Sequence, residues 1–116
     1  MRRILILVFS AAVVLGACAG ESPEVPVGPD GQADPELAVG REVYSRRCAN
    51  CHGAGGGGGT GPKLSDGAVI EAYPDAADQR EIIADGRNGM PSFAGSLSTA
   101  ELDAVVRYTR EVLSQP

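Results

Sequence analysis

The chain has 116 residues, 10 basic against 15 acidic side chains and a formal charge of -5. That length fits one small domain. An acidic surface with a single lysine, Lys63, and no basic stripe interleaved with aromatics excludes nucleic acid as a partner. The acidity is equally consistent with plain solubility and with electrostatic steering toward a basic partner.

Residues 1–17 read as a secretory signal peptide. Arg2 and Arg3 precede an apolar run from Ile4 to Leu15 and then small residues. The run is about 12 residues long, short of the ~20 that a membrane-spanning helix requires. Its end, Leu15-Gly16-Ala17-Cys18, resembles the lipobox at which bacterial lipoprotein signals are cut and the new N-terminal cysteine is acylated. Cys18 is therefore the candidate lipidation site, with ordinary cleavage after Ala19 as the competing reading. Residues 18–35 form a Pro/Gly-rich linker holding Pro23, Pro26, Pro29 and Pro35 and few large apolar side chains. The linker is expected to pack no core and, if fully extended, to reach roughly 50 Å from an anchor.

Residues 36–116 form the folded domain. It has only four aromatics, Tyr44, Tyr73, Phe93 and Tyr108. So small a core predicts that a disulfide, metal or cofactor contributes to stability. Helical signals dominate and no convincing strand alternation appears. Asp34-Pro35 predicts the first helix, with Asp as N-cap and Pro at the first helical position. Leu37, Gly40, Tyr44 and Cys48 then mark one face, leading into Cys48-Ala49-Asn50-Cys51-His52.

C-x-x-C-H is the attachment signature of c-type haem: two thiols add across the two vinyl groups and the adjacent imidazole reaches the iron. Three other chemistries fit less well. A tetrahedral zinc site lacks ligands, because the only other Cys or His is Cys18. A thioredoxin-like pair wants a preceding strand. A structural disulfide leaves His52 without a role. The Gly55 to Gly59 run is not a phosphate cradle, since Gly61 is followed by Pro62; it is either a loop of close backbone approach or a flexible insert.

A middle helix is expected to start between Asp75 and Asp78, run through Ile82 and Ile83, and stop at Gly86. Beyond it lies Asn88-Gly89-Met90-Pro91-Ser92-Phe93, where Gly89 and Pro91 predict a non-helical turn that holds the Met90 thioether outward. Once Met1 leaves with the signal, Met90 is the only methionine and His52 the only histidine. They are the candidate axial pair for a six-coordinate iron, and bis-His ligation is excluded by counting. In the last helix, Ser98-Thr99-Ala100-Glu101 is a capping box and Leu97 can staple onto Leu102. Its expected apolar face is Leu102, Val105, Val106, Thr109 and Val112, with Tyr108 at the edge.

Together these residues resemble the class I cytochrome c family across essentially all of 36–116. The resemblance implies an all-α fold, with N- and C-terminal helices crossing at Gly40 and Tyr44 against Val105 and Tyr108, wrapped around one covalent haem c on Cys48 and Cys51. Gly61-Pro62-Lys63-Leu64 is similar to the family's Gly-Pro-x-Leu stretch, implying that the Pro62 carbonyl accepts a hydrogen bond from the proximal ligand His52. Met90 is implied as the distal ligand. The family pattern offers no clear haem-propionate partners here; Arg87, Tyr73 and Lys63 are candidates, and there is no Trp.

The implied function is one-electron transfer without catalysis, between redox proteins such as a quinol oxidoreductase, terminal oxidase or dehydrogenase. The protein would be exported and membrane-attached through lipid, at the outer face of the cytoplasmic membrane or in the periplasm. The alternative is a haem enzyme or sensor that binds peroxide or a diatomic gas at a labile sixth site. A lipoprotein with no haem is the third reading.

Overall fold

The computed structural model describes residues 20–116; the expected signal peptide and Cys18 lie outside the described residues. The first helix, α1 (Pro35–Arg47), starts where the Asp34 carboxylate accepts from the amides of Glu36 at 2.8 Å and Leu37 at 3.1 Å, with Pro35 at the first helical position. Cys48 caps it, and the haem motif continues as the single-turn α2 (Ala49–His52), which Gly53 ends with φ +83°. A short α3 (Ala68–Ala72) was not foreseen, since five residues are too few to show a period. α4 (Ala76–Asp85) is capped by Asp75 and halted by Gly86 at φ +76°, within the expected limits. α5 (Thr99–Tyr108) carries the full reciprocal capping box between Ser98 and Glu101.

The described residues are all-α: besides the helices they contain only two isolated bridge pairs, Val27 with Ala33 and Arg87 with Met90. α5 is the hub, packing on α1 and α4, while α2 leans on α1. The α1–α5 crossing is as close as Gly40 allows: a β-carbon there would overlap the Ala104 carbonyl oxygen and lie 2.7 Å from Tyr108 Cβ. Tyr44 and Tyr108 fill the crossing, their ring centroids 5.6 Å apart and both side chains fully buried. Tyr108 therefore belongs at the centre of the core and not at the edge of the apolar face. Arg107 ties the two helices from outside, bonding Asp34, Glu36 and Glu111, and Arg80 pairs with Asp103 between α4 and α5.

After Tyr108 the chain widens into a π-helical turn, Thr109–Leu113, in which the Ser114 amide donates to the Thr109 carbonyl at 3.0 Å. The wider turn brings Leu113 into the core, whereas Val112 is only half-buried; the expected face had Val112 in that role. At the start of the turn the Thr109 hydroxyl donates back to the Val106 carbonyl and accepts from buried Gln79.

The expectation that residues 18–35 pack no core is corrected at Ser22 and Val25. Both are buried, and Val25 joins the main apolar cluster with Leu37, Tyr44 and Tyr108. Prolines and exposed residues surround these two, so composition hid them. Arg41 on α1 donates to the carbonyls of Ser22 and Pro23 and to Glu24, and the Tyr108 hydroxyl donates to the Pro23 carbonyl at 2.7 Å. The segment is a strap laid across the helix crossing.

Candidate functional site

A cleft of about 480 Å³ opens between α1, α2, α4, α5 and the loops around them, with a mostly apolar wall. It falls in the size range of cofactor sites. Cys48, Cys51, His52, Pro62 and Met90, all five predicted cofactor-binding residues, line it. The motif reaches the cleft because α1 ends at Cys48 and the α2 turn swings Cys51 and His52 around the same corner. Neither Cys48 nor Cys51 is in a disulfide. Burial, followed by the neighbouring Cys51, pushes the Cys48 thiol up to about 11, so the free polypeptide holds it protonated.

His52 is buried, and its Nδ1 lies 2.8 Å from the Pro62 carbonyl oxygen. A carbonyl only accepts, so Nδ1 carries the proton and Nε2 is left with the free lone pair. The loop from Gly53 to Leu64 makes this possible. The Gly58 amide donates to the His52 carbonyl and the Gly61 amide to the Cys51 carbonyl, each at 2.8 Å. Gly56, at φ +73°, accepts from the amides of Leu64 and Ser65. A β-carbon on Gly61 would come within 2.8 Å of the His52 ring. The close approach falls at Gly61, just past the glycine run: of Gly55–Gly59 none lines the cleft, Gly55 and Gly57 face open space, and a β-carbon on Gly59 would lie 3.0 Å from the Cys51 carbonyl oxygen. The Tyr44 hydroxyl closes the loop by donating to the Gly53 carbonyl at 2.6 Å.

Met90 closes a tight turn with Arg87, each amide donating to the other's carbonyl at 2.9–3.1 Å. The left-handed residue in that turn is Asn88, at φ +53°. Asparagine tolerates that conformation through its short polar side chain. Gly86 is required for a different reason: a β-carbon there would meet the backbone of Met90 and Ser92 at 2.7 Å.

Of the three propionate candidates, Arg87 and Tyr73 line the cleft, whereas Lys63 pairs with Asp66 at 2.7 Å and does not. Gln79 was missed. It is 4% exposed, lines the cleft, donates to the Thr109 hydroxyl at 2.7 Å and accepts from Arg110. The signal that could have found it is spacing: Gln79 precedes Ile82 and Ile83 by three and four residues and so shares their inward face.

These residues fit a covalently held haem on their own evidence. Two unbridged thiols stand beside one imidazole whose Nε2 is free, the wall is apolar, and the backbone is thinned to glycine where it meets the ring. Among the described residues no cluster of three or more His, Cys, Asp or Glu offers a competing metal site.

Comparison with known proteins agrees. The family described as cytochrome C oxidase, cbb3-type, subunit III matches residues 35–108. The dihydro-heme d1 dehydrogenase of Pseudomonas aeruginosa is 42% identical over 73 residues, 61% of this chain and 14% of that protein. The chloroplastic cytochrome c6 of Chlamydomonas reinhardtii is 35% identical over 77 residues, 63% of this chain and 52% of that one. The chain thus spans from a seventh to about half the length of these two curated relatives. The crystal structure of cytochrome c6 from the diatom Phaeodactylum tricornutum superposes with a TM-score of 0.57 at 26% identity, covering 66% of this chain and 93% of that one. The chain belongs to the cytochrome c family, has its small all-α fold, and carries one covalent haem c on the motif Cys48-Ala49-Asn50-Cys51-His52.

Proposed function

We propose that this protein is a one-electron carrier and not an enzyme, with His52 and Met90 as the axial ligands of its haem. The observation that carries the reading is that the chain's single histidine and the single methionine of its mature form line one cleft. The haem supplies the redox couple. The chain's own residues set its surroundings. Pro62 fixes the His52 tautomer and, by accepting from Nδ1, raises the basicity of Nε2. Met90 supplies a soft thioether, the ligand that raises the reduction potential of this class. The apolar wall of Leu64, Val69, Ile82, Ile83 and Phe93 keeps water from the centre.

The electron partners are other redox proteins. A terminal oxidase is favoured by the family description, with a quinol oxidoreductase or a dehydrogenase as the remaining classes. The signal and lipobox support export and attachment to the membrane through acylated Cys18, at the outer face of the cytoplasmic membrane or in the periplasm.

Ferric protein is expected to show the weak far-red thioether-to-iron band, and ferrous protein to resist carbon monoxide at neutral pH. Met90→Ala removes the band, admits carbon monoxide, lowers the potential and creates peroxidase activity. Wild-type protein that binds carbon monoxide and turns over peroxide as readily as Met90→Ala would establish the enzyme or sensor reading instead. The relative named as a dehydrogenase is what favours that second reading.

A further inference from the structure

The strap changes what a lipid anchor would do. A linker loose from Cys18 to Glu36 lets the domain swing roughly 50 Å from the bilayer. In the structure the chain is already committed at Ser22, whose carbonyl accepts from Arg41 Nε at 3.1 Å and Nη2 at 2.9 Å. Pro23 is held by Arg41 and by the Tyr108 hydroxyl, and Val25 is 8% exposed and belongs to the core cluster. Further toward the N-terminus, a β-carbon on Gly20 would lie 3.7 Å from that of Ala54, two residues past His52. Cys18 to Gly20 spans at most about 7 Å even fully extended.

We infer that the strap docks the glycine loop Gly53–Gly59 against the bilayer, holding the haem-motif end of the domain at the membrane surface in a fixed orientation. This rests on the acylation of Cys18 proposed above. The occupant of the surface is the lipid headgroup layer, because the free tether is too short for a folded partner to stand between. The haem-motif end is then held where a membrane-embedded redox partner lies, without diffusion of the domain.

The test uses the intact, acylated holoprotein on phosphatidylcholine vesicles. Cys48 and Cys51 are consumed as thioethers and Cys18 by lipid, so Gly55→Cys introduces the one reactive thiol. Gly55 is exposed, and a β-carbon there meets nothing. A bulky polyethylene-glycol maleimide is expected to modify it slowly on vesicles and fast after detergent release, while a small maleimide reacts equally in both. Inserting ten Gly/Ser residues between Ala19 and Gly20 adds about 17 Å of reach and leaves the strap in place. That variant should lose the protection, as should Arg41→Gln combined with Tyr108→Phe, which frees the strap. Protein acylated by intact mass but modified equally fast on vesicles and in detergent overturns the inference alone. So does protection that survives the insertion. A mature chain with no acyl mass overturns it together with the anchor reading.

Discussion

At position 61 a single methyl group decides how the His52 ring is held. Gly61→Ala places a β-carbon 2.8 Å from the His52 ring, so the ring must move off the Pro62 carbonyl. Overpacking of this kind costs about 1–3 kcal/mol. Losing the Nδ1 bond makes the imidazole a poorer donor to ferric iron. The expected outcome is a lower melting temperature and a midpoint potential above wild type, read by thermal melts and redox titration; an unchanged or lower potential would show that the Pro62 bond has no electronic role. Residue identity alone singled out His52 and Met90 as the candidate pair, since the sequence has one His and, besides Met1, one Met. Nothing in residue type revealed Gln79, because a glutamine between Asp78 and Arg80 looks solvated until Thr109 and Arg110 are brought to it.

Helix ends and helix contacts behaved differently. The caps at Asp34 and Ser98 and the stop at Gly86 are local hydrogen-bonding problems, solved within four residues, and all three were readable; the start of α4, capped by Asp75, was bracketed between Asp75 and Asp78. The crossing of α1 on α5 is not local. By intrinsic propensity Gly40→Ala should stabilise α1 by about 1 kcal/mol. The overlap with the Ala104 carbonyl reverses the sign, because neither backbone can yield without separating Tyr44 from Tyr108. The net destabilisation should be about 2 kcal/mol or more, a drop of roughly 10 °C in Tm by calorimetry.

The same crossing carries a pH dependence. The Arg107 guanidinium, with the amide of Leu37, holds the Asp34 carboxyl below its usual value. A carboxylate depressed in the folded state contributes stability that is present above its unfolded value near 3.8 and is lost as pH falls through the folded one. Tm should therefore fall on acidification below about pH 4. Asp34→Asn should be less stable at neutral pH and show a shallower acid slope. The residual slope comes from Asp66 and Glu101, whose carboxyls are lowered by hydrogen bonds from Lys63 and Ser98 respectively. An unchanged slope in Asp34→Asn would mean that the Arg107 contact does not form in solution.

Taken whole, the molecule is organised around a space that its own side chains do not fill. Without the haem, the mostly apolar wall of that cleft is open to water, and a core with so few aromatics has little else to offset the exposure. Cys48→Ala with Cys51→Ala, expressed alongside the haem-attachment machinery, should therefore give a largely unfolded chain, and a cooperative thermal transition at wild-type temperature would refute this. The sequence by itself determined the haem attachment and the limits of the longer helices, because thiol spacing and capping are properties of neighbouring residues. It also determined the all-α fold, through the resemblance its motifs carry. Only the tertiary structure decided that Ser22 and Val25 belong to the body, that Tyr108 is central and that Leu113 replaces Val112. Each of these depends on residues far away in sequence: Arg41 and Tyr108 give the proline-rich segment its partners, and Gln79 reaches Thr109 from thirty residues away. Periodicity and composition register what a segment prefers alone, whereas burial is conferred by the partners that meet it.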